Sequence, residues 1–217
     1  MISKWFEAES FIFSKDVLTI TETKLDSSIP NQSINPNDFF INRTDRNIHG
    51  GGVITYIKPS FKAIPMDAIQ TKFNGKGLEV TVSKIIFQHI DWIIIGMYRP
   101  PNSRREWFEA FRELILELVI YGKLVLMRDL NCDLLKPSNP STRTLLNILE
   151  MGSLAVKQGQ DLSPTRITIT SATCIDLVAI DKSITIDRYE VSDLLISDHH
   201  PVEADILLSQ PKGYSYI

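Results

Sequence analysis

The chain alternates between short β-branched runs and longer segments with helical periodicity, and this alternation is the strongest constraint on its fold. β-branched and apolar runs predict strands at residues 16–21, 51–58, 78–87, 91–98, 123–127, 174–180, 189–196 and 202–208. The third and fourth of these are separated by a turn near residues 88–90, so we expect a strand pair there. We expect the first four strands to form one sheet.

Three segments carry a helical pattern. A short helix is predicted at residues 5–13, and the clearest one covers residues 103–119, where Ser103 and Glu106 fit a capping box. Its aromatic and aliphatic residues recur on one face, which is typical of a core-facing stripe rather than of a base-stacking surface. Asn139 and Pro140 predict the N-cap and first residue of a third helix that ends near Met151.

These elements bound the fold class. The chain has 217 residues, of which 43% are hydrophobic, so it can bury a sizeable core. It contains no repeats and no low-complexity linker, which indicates a single domain over residues 1–217. Helices mixed with runs of successive strands predict an α/β fold, with two mixed β-sheets packed face to face and helices outside, a four-layer α/β sandwich.

Composition argues against several other classes of protein. Cys132 and Cys174 have no paired spacing, which favours two buried thiols over a metal cluster or a disulfide framework. Acidic residues follow the first methionine too soon for a secretory signal, and the longest apolar run, residues 92–98, is too short to span a bilayer. We therefore expect a soluble, intracellular protein with no membrane partner.

A net charge of −3 means that any binding of nucleic acid must come from a local patch. Residues 99–112 carry four arginines against two glutamates, a local excess of two positive charges. This excess is modest, and a solvated helix face explains it better than a nucleic-acid surface does.

Polar residues with catalytic chemistry stand where the predicted strands end: Glu22, Tyr98, Asp129, Asn131, Asp176, Asp198 and His199. Each has a structural alternative, as a turn former, a helix cap, a half-buried aromatic or a surface acid. Asp176 resists this alternative best, because an acid inside an apolar strand needs a partner, and His199 is a suitable one. The occurrence of several such residues at strand ends predicts that they line a common cleft.

The order of these motifs resembles the endonuclease/exonuclease/phosphatase superfamily. The matching segments are Thr21-Glu22-Thr23, Tyr98-Arg99-Pro100-Pro101, Asp129-Leu130-Asn131, Ile175-Asp176-Leu177-Val178 and Ser197-Asp198-His199-His200-Pro201. More narrowly, the chain resembles the apurinic-endonuclease-like domain of LINE-type, non-LTR retrotransposons, with supporting features in residues 22–28 and in the loop from Arg43 to Gly52. The resemblance spans nearly the whole chain.

The resemblance implies metal-assisted hydrolysis of a phosphodiester, with DNA as the partner and no obligate protein partner. Glu22 would hold Mg²⁺, or alternatively Mn²⁺, and Asp198 would complete the metal environment. Asp176 would fix the tautomer of His199, and either His199 or Asp129 would take the proton from the attacking water. Asn131 and Tyr98 would donate hydrogen bonds to the phosphate. The resemblance implies a nuclear location. No targeting signal is readable in the sequence itself.

Two departures from the family pattern leave alternatives open. The family's Gly-Asp-Phe-Asn reads Arg128-Asp129-Leu130-Asn131 here, and a long cation at Arg128 could clash, displace the metal, pair with Asp129 or bind phosphate; we expect impairment. The family's first strand is apparently missing, which indicates an N-terminally truncated domain. The alternatives are a catalytically impaired relic that at most binds nucleic acid, and a same-fold phosphoesterase acting on an inositol phosphate, a sphingolipid or RNA.

Overall fold

A six-stranded sheet forms the centre of the molecule. The computed structural model describes residues 14–35, 38–156, 162–193 and 197–207. The large sheet has the strand order β4-β5-β6-β7-β11-β8. Its strands are β4 (Ala63–Pro65), β5 (Glu79–Phe87), β6 (Ile90–Tyr98), β7 (Lys123–Asp129), β8 (Leu154–Val156) and β11 (Asp176–Asp181). Since β6 and β7 pair in parallel and the other neighbours are antiparallel, the sheet is mixed.

A smaller antiparallel sheet packs against the large one. It has the order β1-β3-β2, with β1 (Val17–Thr21), β2 (Phe40–Thr44) and β3 (Val53–Ile57). Two further hairpins complete the β structure: β9 (Arg166–Ile167) with β10 (Ala172–Thr173), and β12 (Thr185–Val191) with β13 (Val202–Leu207). Apolar residues of β12 and β13 pack on the same face of the large sheet as the small sheet does.

The three described α-helices cover the opposite face of the large sheet. They are α1 (Asp67–Asn74), α2 (Arg105–Leu118) and α3 (Pro140–Met151). The apolar stripe of α2 is buried against the sheet, which confirms that it is core. Asn139 caps α3, because its side chain accepts the backbone N–H of Ser141 at 2.9 Å. The large cluster of buried residues on this face supplies most of the apolar core.

The space between the two sheets is apolar at one end and polar at the other. The apolar cluster at the first end includes Ile94, Val125 and Val178. In the middle, the hydroxyl of Thr55 bonds those of Thr19 at 3.0 Å and Thr81 at 2.7 Å. Gly96 allows this close approach, since an added Cβ would lie within 2.8 Å of all three threonines.

The α/β sandwich predicted from the sequence is confirmed, with corrections. The small sheet is antiparallel rather than mixed, and the first four predicted strands do not form one sheet: β1 and β3 belong to the small sheet, β5 and β6 to the large one. The β5–β6 hairpin turns at Gln88 and His89, whose φ values of 50° and 63° suit a two-residue turn. The predicted capping box is wrong, because Ser103 Oγ donates to the carbonyl of Pro100 and α2 has no side-chain cap.

Other differences concern single elements. Sequence periodicity misplaced β12, predicted at residues 189–196, and missed β2, β4, α1, β8, β9 and β10. The predicted helix at residues 5–13 and the end of the strand at residues 194–196 lie outside the described residues. Within the described part of the chain, no helix is long and apolar enough to cross a membrane. The prediction of a single, truncated domain stays a prediction.

Candidate active site

Four polar side chains stand side by side at the polar end of the space between the sheets. The strand registers align Glu79 with Tyr98, Tyr98 with Asp129, and Asp129 with Asp176 across β5, β6, β7 and β11. Paired residues project from the same face of a sheet, so these four form one row, which we call the polar row. Alternation along each strand places the row on the face that carries the apolar cluster further along. The polar row therefore lies on the same strands and the same sheet face as the apolar core, at the end where the candidate site forms.

The turn after β7 is held by the row itself. Asp129 is 3% exposed, and its Oδ1 accepts the backbone N–H of Asn131 at 3.0 Å. Asn131 has a φ of 47°, and its side chain donates to the carbonyl of Arg99 at 2.8 Å. The guanidinium of Arg99 donates in turn to the carbonyls of Leu130 and Asn131 at 3.1 and 3.3 Å. The loops after β6 and β7 are thus tied together beneath the site.

His199 and Asp176 form the pair that the sequence predicts. His199 Nδ1 lies 2.8 Å from Asp176 Oδ2, and the hydroxyl of Thr165 donates to the same carboxylate oxygen at 2.8 Å. The His199 backbone bridges to Arg166 at the start of the β9–β10 hairpin. The imidazole remains partly open, with 29% of its side chain exposed. A carboxylate on Nδ1 leaves Nε2 as the nitrogen available for chemistry.

Glu22 reaches the same end from the small sheet. It follows β1 directly, and its φ of 52° turns the chain at this point. Its Oε1 accepts the phenol O–H of Tyr98 at 2.5 Å, so one carboxylate oxygen is oriented by the polar row. Tyr98, which bonds Glu22, is the register partner of Asp129, and Asp129 is that of Asp176, which bonds His199. Glu22 and His199 therefore lie at the same end of the sheets.

The electrostatics of the site follow from crowding of acids in a buried place. Burial, and then the charge of Asp176, raise the pKa of Asp129 to about 7, while His199 opposes the shift. Burial lowers the pKa of His199, but the hydrogen bond and charge of Asp176, with Asp129 and Asp198 behind them, raise it overall. Burial and the bond to Glu22 raise the pKa of Tyr98, which stays protonated at neutral pH. The site therefore favours a bound positive charge.

The same residues meet the geometric requirement of a cation site. Asp129, Asp176 and His199 each offer a ligand atom, and these atoms lie within 4.8 Å of one another. Glu22 is not part of this group, and its carboxylate reaches the polar row through its bond with Tyr98. Asp198 lies apart from this group: its carboxylate bonds Arg166 at 2.8 Å and is half exposed. A metal-binding role for Asp198 stays a prediction and would compete with Arg166.

Arg128 does not occupy the position expected from the sequence. Its register partners Met97 and Leu177 belong to the core on the helix side, so its side chain leaves the sheet on the face opposite Asp129. Among the described residues, none of its three guanidinium nitrogens has a hydrogen-bond partner, and burial lowers its pKa to about 9. Pairing of Arg128 with Asp129, one of the alternatives that the sequence left open, is therefore not observed.

Four further residues support the site and escaped sequence reasoning: Arg46, Glu79, Thr165 and Arg166. Glu79 has a readable signal, since a two-residue turn at 88–89 pairs position 79 with Tyr98 in the hairpin. Arg46 and Thr165 lie in loops, where no periodicity gives their partners. Arg166 meets Asp198 only because a two-residue strand and a bridge bring them together.

Comparison with solved structures identifies the architecture. The endonuclease domain of TRAS1, a telomere-specific non-LTR retrotransposon, superposes with a TM-score of 0.70 over 95% of this chain and 92% of that one, at 15% identity. An endonuclease/exonuclease/phosphatase family protein from Leptotrichia buccalis gives a TM-score of 0.66 over 95% and 93% of the two chains, at 12% identity. The chain has the endonuclease/exonuclease/phosphatase fold.

The endonuclease/exonuclease/phosphatase fold confirms the resemblance read from the ordered motifs. No family model matches the sequence, and no curated protein matches it. At 12–15% identity the likeness is carried by the arrangement of sheets and helices, while the activity has to be argued from the site.

Proposed function

We propose that the chain is a metal-dependent phosphodiester hydrolase, and specifically a DNA-nicking endonuclease of retrotransposon origin. The observation that carries the proposal is the His199–Asp176 pair beside the buried Asp129, with Glu22 approaching from the other sheet. An oriented imidazole next to a group of acids suits water activation at a phosphate better than it suits structural stability. The retrotransposon domain among the structural neighbours favours DNA as the substrate.

The residues present suit a hard divalent cation such as Mg²⁺, with Mn²⁺ as an alternative. Glu22 and Asp129 would hold it through carboxylate oxygens, since the buried carboxyl of Asp129, whose pKa is raised, gains from a positive charge. A bound cation would neutralise the charge that builds on the phosphate and the leaving oxygen.

His199 would take the proton from the attacking water. Asp176 accepts the Nδ1–H of His199, so Nε2 keeps its lone pair facing the site. The developing imidazolium would be stabilised by Asp176, whose second contact, with Thr165, fixes its orientation. Asp129 is the competing base where it does not bind the cation, because a carboxyl with a pKa of about 7 also exchanges protons at neutral pH.

Asn131 and Tyr98 would take different parts. One N–H of the Asn131 amide is engaged by Arg99, which leaves the other to donate to a phosphate oxygen. The phenol of Tyr98 has a single proton, and that proton already bonds Glu22. Tyr98 would therefore orient Glu22, and could donate to phosphate only after exchanging this bond.

A specific observation also supports the impaired relic. The guanidinium of Arg128 is buried without a described hydrogen-bond partner on the strand that carries Asp129. Burying an unpaired charge costs several kcal/mol, so strain in β7 could displace Asp129. In that case the chain would retain the fold and weak binding of nucleic acid but little turnover.

A plasmid-nicking assay tests the proposal. Supercoiled DNA would be incubated with Mg²⁺, with Mn²⁺ and with EDTA, using wild type, Asp129→Ala and His199→Ala. His200→Ala is the matched control, since this neighbouring imidazole bonds the Ser192 carbonyl away from the acids. We expect metal-dependent nicking by wild type and the control, and a loss of about 100-fold or more in the two site variants.

Other results would separate the alternatives. Equal, negligible nicking in all variants would defeat the nuclease proposal, and DNA binding without turnover would favour the relic. Arg128→Gly then tests whether the arginine in place of the family's glycine is responsible. Rescue of nicking by this variant would assign the defect to Arg128. Hydrolysis of an inositol phosphate, a sphingolipid or RNA in preference to DNA would establish the sister phosphoesterase instead.

A further inference from the structure

The metal-binding candidate Glu22 is held in an unusual backbone conformation by contacts that lead back to an ion pair between the buried Glu79 and the exposed Arg46. Its positive φ of 52° is uncommon for a residue with a side chain. The residues after it are fixed by the small sheet's loop: Thr23 N–H donates to the carbonyl of Gly52 at 3.4 Å and Lys24 N–H to that of Gly51 at 3.0 Å. The position of Glu22 therefore depends on the position of these two glycines.

The glycines are anchored in turn by Glu79 of the polar row. The backbone N–H of Gly52 donates to Glu79 Oε2 at 2.6 Å. The other carboxylate oxygen, Oε1, accepts Arg46 at 2.8 Å, and Arg46 Nε donates to the carbonyl of Gly50 at 2.8 Å. Glu79 is 8% exposed, so its charge needs both partners. The three glycines, Glu79 and Arg46 form one rigid unit, which we call the glycine platform.

Close packing shows why this unit requires glycine. A Cβ added at Gly51 would lie 2.4 Å from the Arg46 guanidinium and 2.5 Å from Glu79 Oε2. A Cβ added at Gly52 would lie 2.4 Å from the hydroxyl of Thr23, the residue after Glu22. Both glycines also have positive φ, of 71° and 90°. Gly51 and Gly52 can contact Glu79 on one side and the Glu22 turn on the other only because they have no side chains.

The platform also meets the second support of Glu22. Glu79 and Tyr98 are register partners, and the Arg46 guanidinium lies 5.9 Å from the centre of the Tyr98 ring. Tyr98 in turn donates its O–H to Glu22 Oε1. The ion pair between Glu79 and Arg46 thus supports both the backbone of Glu22, through the glycines, and its side chain, through Tyr98.

We propose that Glu79 and Arg46 are positioning residues that act through Gly51 and Gly52 to hold Glu22 in its cation-binding orientation. This inference rests on the proposed function, in which Glu22 binds the divalent cation. Neither residue touches the cation or the substrate. Groups that orient a metal ligand without contacting the metal typically change its affinity 10- to 100-fold when removed.

The experiment measures Mn²⁺ affinity of the full chain by isothermal titration calorimetry, without substrate. Variants are Arg46→Met, Arg46→Lys and Glu79→Gln, and the matched control is Lys84→Met. Lys84 makes an ion pair with Asp91 at 2.6 Å, which joins β5 to β6 near the end of β5 opposite Glu79. Thermal unfolding of each variant separates loss of affinity from loss of fold.

We expect Arg46→Met and Glu79→Gln to weaken Mn²⁺ binding about 10-fold or more. Arg46→Lys should recover part of the loss, because an ammonium can still pair with Glu79, and Lys84→Met should bind as wild type does. Faster amide hydrogen exchange at residues 22–24 should accompany the loss. If Arg46→Met proves unfolded, Glu79→Gln and Arg46→Lys carry the test through the same two measurements.

The failures are distinguishable. Wild-type affinity in folded Arg46→Met and Glu79→Gln, whatever their unfolding temperatures, would overturn the positioning role and leave the proposed function standing. Equal weakening by Lys84→Met would also overturn it, since the effect would then report general destabilisation. A wild type that binds no Mn²⁺ would overturn the metal-dependent function and this inference with it.

Discussion

The two ends of the space between the sheets are built on the same strands and the same face but have opposite energetics. At the apolar end, Ile94, Val125 and Val178 exclude water and stabilise the fold. At the polar end, Tyr98, Asp129 and their neighbours continue the same strands and bury acids that must find partners. Burial at the apolar end stabilises the folded state, whereas burial of acids at the polar end reduces that stability and forms the site.

The short distance between these ends explains how precise the site can be. Tyr98 is only four positions after Ile94 on β6, and Asp129 is likewise four positions after Val125 on β7. Side chains mounted on strands with a packed core behind them have little freedom to move. The loops beyond the strand ends contribute only residues that hydrogen bonds hold in place, such as Asn131. If this comparison is correct, variants at the two ends should separate activity from stability.

The largest expected effect is at the polar end. Asp176→Asn should lower the rate of Mg²⁺-dependent nicking by about 100- to 10,000-fold, because His199 loses the group that fixes its tautomer and stabilises its charge. Thermal unfolding should be unchanged or occur at a higher temperature, since the charge of Asp176 beside the buried Asp129 is removed. Asp181→Asn, at the other end of the same strand, is the control and should nick normally. Full activity of Asp176→Asn would break the comparison.

The next effect is at the apolar end. Ile94→Ala should lower the free energy of unfolding by about 2–5 kcal/mol, because Ile94 is 3% exposed and the cavity would lie between two sheets. Urea unfolding measures this loss. Nicking per folded molecule should equal that of wild type, since Ile94 belongs to the apolar cluster and not to the polar row. A loss of specific activity comparable with that of Asp176→Asn would show that the two ends are not separable.

Arg128 offers a contrast on the opposite face of β7. Arg128→Met should raise the free energy of unfolding by about 1–3 kcal/mol, because it removes a buried charge that has no described hydrogen-bond partner and keeps a similar volume. Arg188→Met, at an exposed arginine paired with Asp205, should leave the free energy of unfolding close to that of wild type. Destabilisation by Arg128→Met would mean that the guanidinium is satisfied in solution by a group outside the described residues.

Sequence reasoning succeeded where a signal was local. The strand exits could be read from β-branched runs, and the cost of burying Asp176 alone was enough to pair it with His199. The N-cap at Asn139 was likewise a local pattern. Arg128 was recognised as a departure, but the sequence does not show which face of β7 it occupies unless the register of the neighbouring strands is known.

The remaining features depend on contacts between distant parts of the chain. β1 and β3 could not be separated from β5 and β6 because all four carry similar apolar runs, and sheet membership is decided by pairing. The glycine platform joins Arg46 and Gly52 to Glu79 across 27 to 33 positions, which no periodicity reports. The capping box failed because α2 begins one residue later than the pattern predicts, with Arg104 rather than Ser103 at the N-cap. Short loop and hairpin residues such as Thr165 acquire their partners only after the sheets assemble.

The smallest effect is the pH dependence of stability, and it tests whether the acids at the polar end lack a neutralising positive charge. The pKa of Asp129 is raised to about 7 in the folded chain, from about 3.9 when unfolded. Between these values the folded state binds more protons than the unfolded state, so the stability from Asp129 is fully present below about pH 4 and is lost as pH rises through about 7.

Without metal, the free energy of unfolding should therefore fall by about 1–2 kcal/mol between pH 5 and pH 8, as measured by urea unfolding. Asp129→Asn should flatten this dependence, because its amide does not titrate. Saturating Mn²⁺ should reverse the trend, since a cation binds the deprotonated carboxylates and stabilises the folded state more as pH rises. A profile that is the same in wild type and Asp129→Asn would mean that the buried acid is already neutralised, and the polar end would then cost the fold nothing.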